Sequence, residues 1–226
     1  VIAANFEVVE PRYAGIGFST IKGRLDYRGL EGNIGIEALE GAHTVLRVAG
    51  SIPYDLSLEE RDSRSVRLPM DLLIQADSLD MADALDYFGT FEDVAGLVSG
   101  LVRVRGTTED PEPEGVIDVE AAAWSLGALG VRHSDVNGSL TFNPDKQVAV
   151  HLVTDATGRS EIDGTITLDP ARDPVLDLGM NFNRFQAVQR LDIESMISGN
   201  LTVEGRFSRP EIRGSVSVDE AILYVD

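Results

Sequence analysis

The 226-residue chain has no cysteine, so disulfides, cysteine nucleophiles and thiolate metal sites are excluded. Basic residues are also scarce, with 19 Lys and Arg against 38 Asp and Glu and a formal net charge of −19. This charge repels phosphate backbones and the basic residues are scattered singly, which excludes a nucleic-acid-binding surface. No apolar run approaches the roughly 18 to 20 residues of a membrane-spanning helix. A compact chain of this length buries about 70% of its unfolded surface, so it needs neither metal nor disulfide for stability.

An internal repeat accounts for nearly the whole chain. Residues 99–106 return 99 residues later as residues 198–205, and the Pro and Gly residues that follow them return in register. An earlier stretch also repeats, with a different offset because loop lengths vary. Self-similarity of this kind indicates two copies of one structural unit. We assign copy 1 to residues 1–122 and copy 2 to residues 123–226, and expect one continuous sheet that forms a single rod.

Within each copy, apolar residues alternate with polar or small ones, as in Val102-Arg103-Val104 and Ile117-Asp118-Val119. Such alternation predicts half-buried strands with one apolar and one solvated face. Antiparallel pairing is the expected arrangement for strands of this type. Turn signals separate the runs, among them Arg28-Gly29, residues 143–145 and Asp173-Pro174.

Helix signals are few. Residues 78–88 place Met81, Leu85 and Phe88 on one helical face and are followed by a glycine, which predicts one short amphipathic helix. Copy 2 has Phe185, Val188 and Leu191 at the corresponding place, so we expect one short helix per repeat. One short helix is too little to cover a sheet of ten or more strands.

The apolar face of the predicted sheet therefore needs another cover. The sheet could fold over as a sandwich, coil as a solenoid, or remain an open curved trough whose apolar face meets a ligand. Aromatic residues make up only 6% of the chain, and sandwich cores often use large rings to fill the space between sheets. The composition favours the trough.

Two segments share a pattern of glycines and proline. Gly100–Gly115 and Gly199–Gly214 each read Gly, alternating strand, Gly, about four residues, Pro, three residues, Gly, followed by a second alternating strand. The preceding strands Gly23–Tyr27 and Gly138–Phe142 share a Gly-x-Leu-x-aromatic pattern. Together these features resemble the repeating β region of the TamB and AsmA-like envelope proteins.

The resemblance implies a fold and a function. It implies a curved antiparallel sheet that forms an elongated open groove and conducts phospholipid between the inner and outer membranes of a diderm bacterium. It further implies a periplasmic location, a role in outer-membrane biogenesis, an outer-membrane β-barrel partner in protein assembly, and an inner-membrane anchor in flanking sequence. This chain would be one segment of a longer rod.

The predicted groove lining consists of the apolar members of the alternating strands. These residues are Leu25, Tyr27, Ile34, Ile36, Val102, Val104, Ile117, Val119, Leu140, Phe142, Ile166, Leu168, Leu201, Val203, Val216 and Val218. A closed core made by the same side chains is the alternative. Trp124 is interpreted either as a plug at the seam between the copies or as a ring that contacts lipid.

No residue pattern predicts catalysis, a cofactor or a metal site. His43, His133 and His151 lie far apart among unlike neighbours, and no Gly-x-Ser-x-Gly nucleophile elbow is present. The glycines at the ends of the repeated strands do not precede helices, so we expect bulge or turn roles rather than phosphate binding. Two non-enzymatic alternatives to a lipid conduit remain. One is a lipid-free structural or adhesive domain, and the other is a scaffold whose strand edges pair with an outer-membrane barrel.

Overall fold

The chain is all-β in the part that the computed structural model describes. That part comprises residues 1–13, 16–56, 66–81, 92–126, 131–156, 158–169, 172–189 and 193–224. Its fifteen strands are β1 (Ile2–Val9), β2 (Arg12–Tyr13), β3 (Ile16–Gly17), β4 (Thr20–Arg28), β5 (Glu31–Glu40), β6 (His43–Pro53), β7 (Asp71–Asp80), β8 (Glu92–Gly106), β9 (Pro111–Leu126), β10 (Val131–Phe142), β11 (Gln147–Thr154), β12 (Arg159–Asp169), β13 (Arg172–Gln189), β14 (Ile193–Arg206) and β15 (Arg209–Leu223). Among these residues no helix of membrane-spanning length and hydropathy occurs.

Thirteen strands form one open antiparallel sheet. Their order is β1-β4-β5-β6-β7-β8-β9-β10-β11-β12-β13-β14-β15, while β2 and β3 pair separately as a two-stranded hairpin. Each strand of the large sheet thus lies beside its nearest neighbours in sequence, as expected for antiparallel strands joined by short connections. The prediction of an all-β antiparallel fold from alternation is confirmed.

The prediction of one short helix per repeat is wrong for the residues that the structure describes. Residues 78–80 end β7, and both Phe185 and Val188 lie in β13. The remaining predicted positions, residues 82–88 and Leu191, lie outside the described residues.

Bulges explain the helix-like spacing in β13. Phe182 lies opposite Gly199 and Phe185 lies opposite Ile197, with a register shift between the two pairs. Within this shift Arg184 has a φ of 46°. An extra residue in a strand brings side chains three apart to the same face, which imitates the period of a helix.

Three residues with positive φ are held by polar side chains on the following strand. In three places the N–H of a positive-φ residue donates to such a side chain, at 2.9, 2.9 and 3.0 Å respectively: Ser78 to Ser99 Oγ, Ala121 to Asn137 Oδ1, and Arg184 to Ser198 Oγ. Ser99 and Ser198 are the equivalent first residues of the sequence repeat. The two copies of the repeat therefore share a serine hydroxyl that accepts a hydrogen bond from a positive-φ residue of the preceding strand.

The turn predictions are mostly confirmed. The chain turns at Arg28-Gly29 between β4 and β5, and at residues 143–145 between β10 and β11. The turn predicted at Asp173-Pro174 is wrong, because both residues lie in β13. Pro174 is tolerated there because it lies near the start of the strand, beside a register shift where the missing N–H breaks no regular ladder.

The residues group into two compact units. Unit 1 comprises Val1–Leu79, Ser99–Val116 and Phe142–Lys146, and unit 2 comprises Asp80–Val98, Ile117–Thr141 and Gln147–Asp226. In unit 2, Val119, Ala122 and Val136 form a buried cluster against which Trp124 and Leu152 pack. In unit 1 the buried apolar side chains of the described residues include Ala38, Val45, Pro53, Met70 and Val102. The repeat boundary between residues 122 and 123 stays a prediction.

Candidate functional site

The candidate site is the apolar face of the sheet, beginning with unit 1. Leu25 on β4 lies opposite Ile34 on β5, and Ile36 lies opposite Val48 on β6, which lies opposite Ile74 on β7. Directly opposed residues in an antiparallel pair project to the same side, so these side chains form one continuous surface. Other apolar members of this surface are Phe6, Tyr27, Leu46, Ile52 and Leu72.

Unit 2 has an apolar face built in the same way. Leu178 on β13 lies opposite Val203 on β14, and Ile197 on β14 lies opposite Val218 on β15. Further members of this surface are Val148, Val150, Leu152, Ile162, Ile166, Leu176, Met180, Phe182, Leu201, Ile212 and Val216. The face of unit 2 thus extends across five neighbouring strands.

Burial on the unit 2 face decreases towards the edge strand. Val148 and Val150 on β11 are 5% and 7% exposed, whereas Val216 and Val218 on β15 are 42% and 63% exposed. Strand β15 has a neighbour on one side only in the sheet order, and every one of its residues is exposed. The most accessible part of this apolar face is therefore the part nearest the free strand edge.

The structure places the sixteen predicted lining residues in three groups by exposure. Val102 and Val119 are buried, and Val216 and Val218 are exposed. Partial exposure characterises Leu25, Tyr27, Ile34, Ile36, Val104, Ile117, Leu140, Phe142, Ile166, Leu168, Leu201 and Val203. The register pairs Leu25 with Ile34 directly, while Val119 belongs to the buried cluster of unit 2.

Several residues of the apolar face were missed by the sequence analysis. Leu72 and Ile74 alternate in β7, and Leu176, Leu178 and Met180 alternate in β13. The same period-two signal that identified the predicted lining was present in both stretches.

Glycines bring neighbouring backbones close together beneath the apolar face. Gly50 and Gly164, equivalent positions of the repeat, have φ values of 142° and 151°. A Cβ at Gly50 would collide with the carbonyl oxygen of Asp71, and one at Gly164 with that of Asp177. Only glycine adopts this backbone conformation without strain. Both positions therefore require glycine for a backbone reason, separate from any ligand.

The opposite face of unit 1 is charged. Arg47 Nη2 lies 2.9 Å from Glu37 Oε1 across β5 and β6, and Lys22 Nζ lies 3.7 Å from Glu7 Oε1. Arg103 forms a bidentate ion pair with Asp71. The hydrogen bonds from the Arg103 guanidinium hold the pKa of the Asp71 carboxyl below its ordinary value. These pairs keep one side of the sheet solvated.

A row of stacked rings lies in unit 2. The centroid of the His133 ring is 5.1 Å from that of Trp124 and 5.0 Å from that of Phe185, which is 1% exposed. Phe182 continues the row at 5.6 Å from Phe185. Burial lowers the pKa of His133 because the charged imidazolium loses solvation. Trp124 therefore packs within protein on at least one side of its ring.

Comparisons with known proteins bear on the C-terminal third of the chain. Residues 151–226 match the family model described as the TamB C-terminal domain. These residues include β12 to β15 and the second half of β11, which carry much of the unit 2 apolar face. Searches of curated proteins and of solved structures return no match.

Proposed function

The chain is TamB-like over residues 151–226, and from this premise we propose that its apolar face binds acyl chains of phospholipid in the bacterial cell envelope. The proposal includes an elongated groove along this face that conducts the lipid between the inner and outer membranes. It also includes a periplasmic location, an inner-membrane anchor in the longer protein, and a role in outer-membrane biogenesis.

One observation carries the proposal. In both units the apolar side chains of neighbouring strands fall on the same face, and among the described residues many of them, such as Ile36, Val48 and Val218, remain partly or largely exposed. Contiguous apolar surface left uncovered by protein marks a site for an apolar partner. An acyl chain is the simplest partner that needs aliphatic walls and no catalytic group.

The dimensions of each face suit one acyl chain. Neighbouring strands lie about 4.8 Å apart, so the five strands of each apolar face span roughly 19 Å across the strands. One leaflet of a bilayer has a hydrocarbon thickness of about 15 Å, half the core of about 30 Å. Burying a saturated chain of about sixteen carbons recovers on the order of 12 kcal/mol at ~0.8 kcal/mol per methylene.

The direct test is organic extraction of the purified chain followed by mass spectrometry. Copurified phospholipid is the expected result, and the variant Val203→Arg should reduce it several-fold by placing a charge on the apolar face. The matched control is Thr202→Arg, one residue away and on the opposite face, which should retain lipid. A folded wild-type chain that carries no lipid under gentle preparation would instead support a lipid-free structural or adhesive domain.

A second candidate function is strand addition at the free edge of β15. This strand is fifteen residues long and exposed throughout, with one side of its backbone outside the sheet ladder. An edge of this length is a template for an added strand, such as one from an outer-membrane β-barrel. Crosslinks from polar positions of β15, such as Ser215 and Ser217, to a barrel protein would support this function.

A further inference from the structure

A group of metal-ligating side chains lies on the polar face of unit 2, away from the apolar face. His151, Glu161 and Asp163 each offer one ligand atom, and these three atoms lie within 4.8 Å of one another. We propose that they form a binding site for a divalent transition-metal ion of the Zn²⁺ type.

The strand register assembles the three ligands. His151 on β11 lies directly opposite Asp163 on β12, so their side chains share a face, and His151 Nδ1 lies 2.5 Å from Asp163 Oδ1. Glu161 precedes Asp163 by two residues in the same strand, which places its side chain on that face as well. Two hydrogen-bonded strands therefore fix all three positions without a flexible loop.

The ligand chemistry selects the class of ion. One imidazole nitrogen with two carboxylates suits Zn²⁺ and neighbouring transition ions, whereas Ca²⁺ and Mg²⁺ prefer sites made of oxygen alone. An ion at this site replaces the direct contact between His151 Nδ1 and Asp163 Oδ1. Three protein ligands leave a further coordination position for water.

The surroundings leave the site accessible. Asp163 lies opposite Gly179 on β13, and a Cβ built at Gly179 meets only the Asp163 carbonyl oxygen, at 3.7 Å. The side chains of His151 and Asp163 are 55% and 49% exposed. Space for an ion and its water is therefore present on the solvent side of this strand pair.

One cation competes for the same carboxylate. Arg159 Nη2 lies 3.5 Å from Glu161 Oε2, and its Nη1 lies 3.3 Å from Asp155 Oδ1. The pair with Glu161 is long and exposed, so a divalent ion displaces it at little cost. Removal of the guanidinium should strengthen metal binding.

The test is titration of the 226-residue chain with Zn²⁺, followed by calorimetry and by ¹⁵N NMR of its three histidines. We expect one saturable ion per chain and a perturbed ring signal from His151. His151→Ala should abolish this binding, Glu161→Gln should weaken it by about tenfold or more, and Arg159→Gln should tighten it. Circular dichroism checks that each variant keeps its strands.

His43 provides the matched control. It lies 3.5 Å from Asp77 on unit 1, and the metal-ligating groups found among the described residues do not include this pair. His43→Ala should leave Zn²⁺ affinity unchanged. Absence of saturable binding to the wild-type chain, or binding that His151→Ala leaves intact, would overturn the assignment.

Discussion

Units 1 and 2 share one strand chemistry but differ in how the protein covers its own apolar side chains. On β4 to β7 of unit 1 the aliphatic residues of the apolar face, such as Ile36, Val48 and Ile74, remain partly exposed. Unit 2 has similar aliphatic positions on β12 to β14, but it also buries Phe185 in a row of stacked rings. The larger aliphatic side chains of the unit 1 face thus stay partly exposed, whereas unit 2 buries part of its own face, including Val148 and Val150, and adds the packing of the aromatic row.

The largest expected effect tests the packing of Phe185 in unit 2. Phe185→Ala removes a side chain that is 1% exposed, so we expect the free energy of unfolding to fall by about 3–5 kcal/mol. Phe6→Ala on unit 1 is the comparison, because Phe6 is 43% exposed and should lose only about 1 kcal/mol. Urea unfolding measures both. Equal losses would mean that the two rings are buried alike.

The next effect concerns the glycines that both units share. Gly50→Ala and Gly164→Ala each force a Cβ against a neighbouring carbonyl oxygen at positive φ, so each should cost about 1–3 kcal/mol. Gly35 and Gly179 are controls in the same two units, since a Cβ there meets nothing within 4 Å or one atom at 3.7 Å. Thermal unfolding should show a larger loss of stability for Gly50→Ala and Gly164→Ala than for Gly35→Ala and Gly179→Ala. A large loss in the controls would contradict the argument from crowding.

A smaller effect separates the two equivalent serines of the repeat. Ser99→Ala removes the acceptor for the Ser78 N–H and should cost about 0.5–1.5 kcal/mol. Ser198→Ala should cost about 1 kcal/mol more, because the Ser198 hydroxyl also donates to Asp219 Oδ2 at 2.5 Å. Denaturant unfolding is the measurement, with Ser215→Ala as an exposed comparison. Identical losses for Ser99 and Ser198 would show that the Asp219 bond contributes nothing.

The smallest effect is electrostatic and is best observed by NMR titration of carboxyl groups. Arg103→Gln should raise the pKa of Asp71 in unit 1, and Ser208→Ala should raise that of Asp173 in unit 2, because the hydrogen bonds that lower each pKa are weakened. A lowered folded-state pKa stabilises the fold above the ordinary carboxyl pKa and loses this contribution as pH falls below it. If the pKa of the carboxyl group is unchanged in either variant, the hydrogen bond removed in that variant is not what lowers the pKa.

Much of the fold could be predicted because period-two alternation is a local property. Leu25-x-Tyr27 and Ile34-x-Ile36 identify strands, and their antiparallel pairing follows from short connections. The same signal places Leu201 and Val203 on one face of β14, as the register confirms. These features need no knowledge of distant parts of the chain.

The remaining features depend on interruptions of that period. A register shift between Gln186 and Val188 interrupts the alternation of β13, so the spacing of Phe185 and Val188 imitates that of a helix. The proximity of His133 to Phe185 could not be predicted either, because the contact joins residues far apart in sequence. The same holds for His151 and Asp163, since histidine spacing alone carries no information on cross-strand register.

Lipid binding by the apolar face is tested most directly by photo-crosslinking to phospholipid in bacterial cells. The photoreactive residue is placed at neighbouring positions that differ only in which face of the sheet they occupy. Leu25 and Val203 lie on the apolar faces of units 1 and 2, while Arg24 and Thr202 lie on the opposite faces. A photoreactive residue at Leu25 or Val203 should label lipid, and one at Arg24 or Thr202 should not. Labelling that is equal from both faces, or confined to Arg24 and Thr202, would contradict an apolar lipid-binding face.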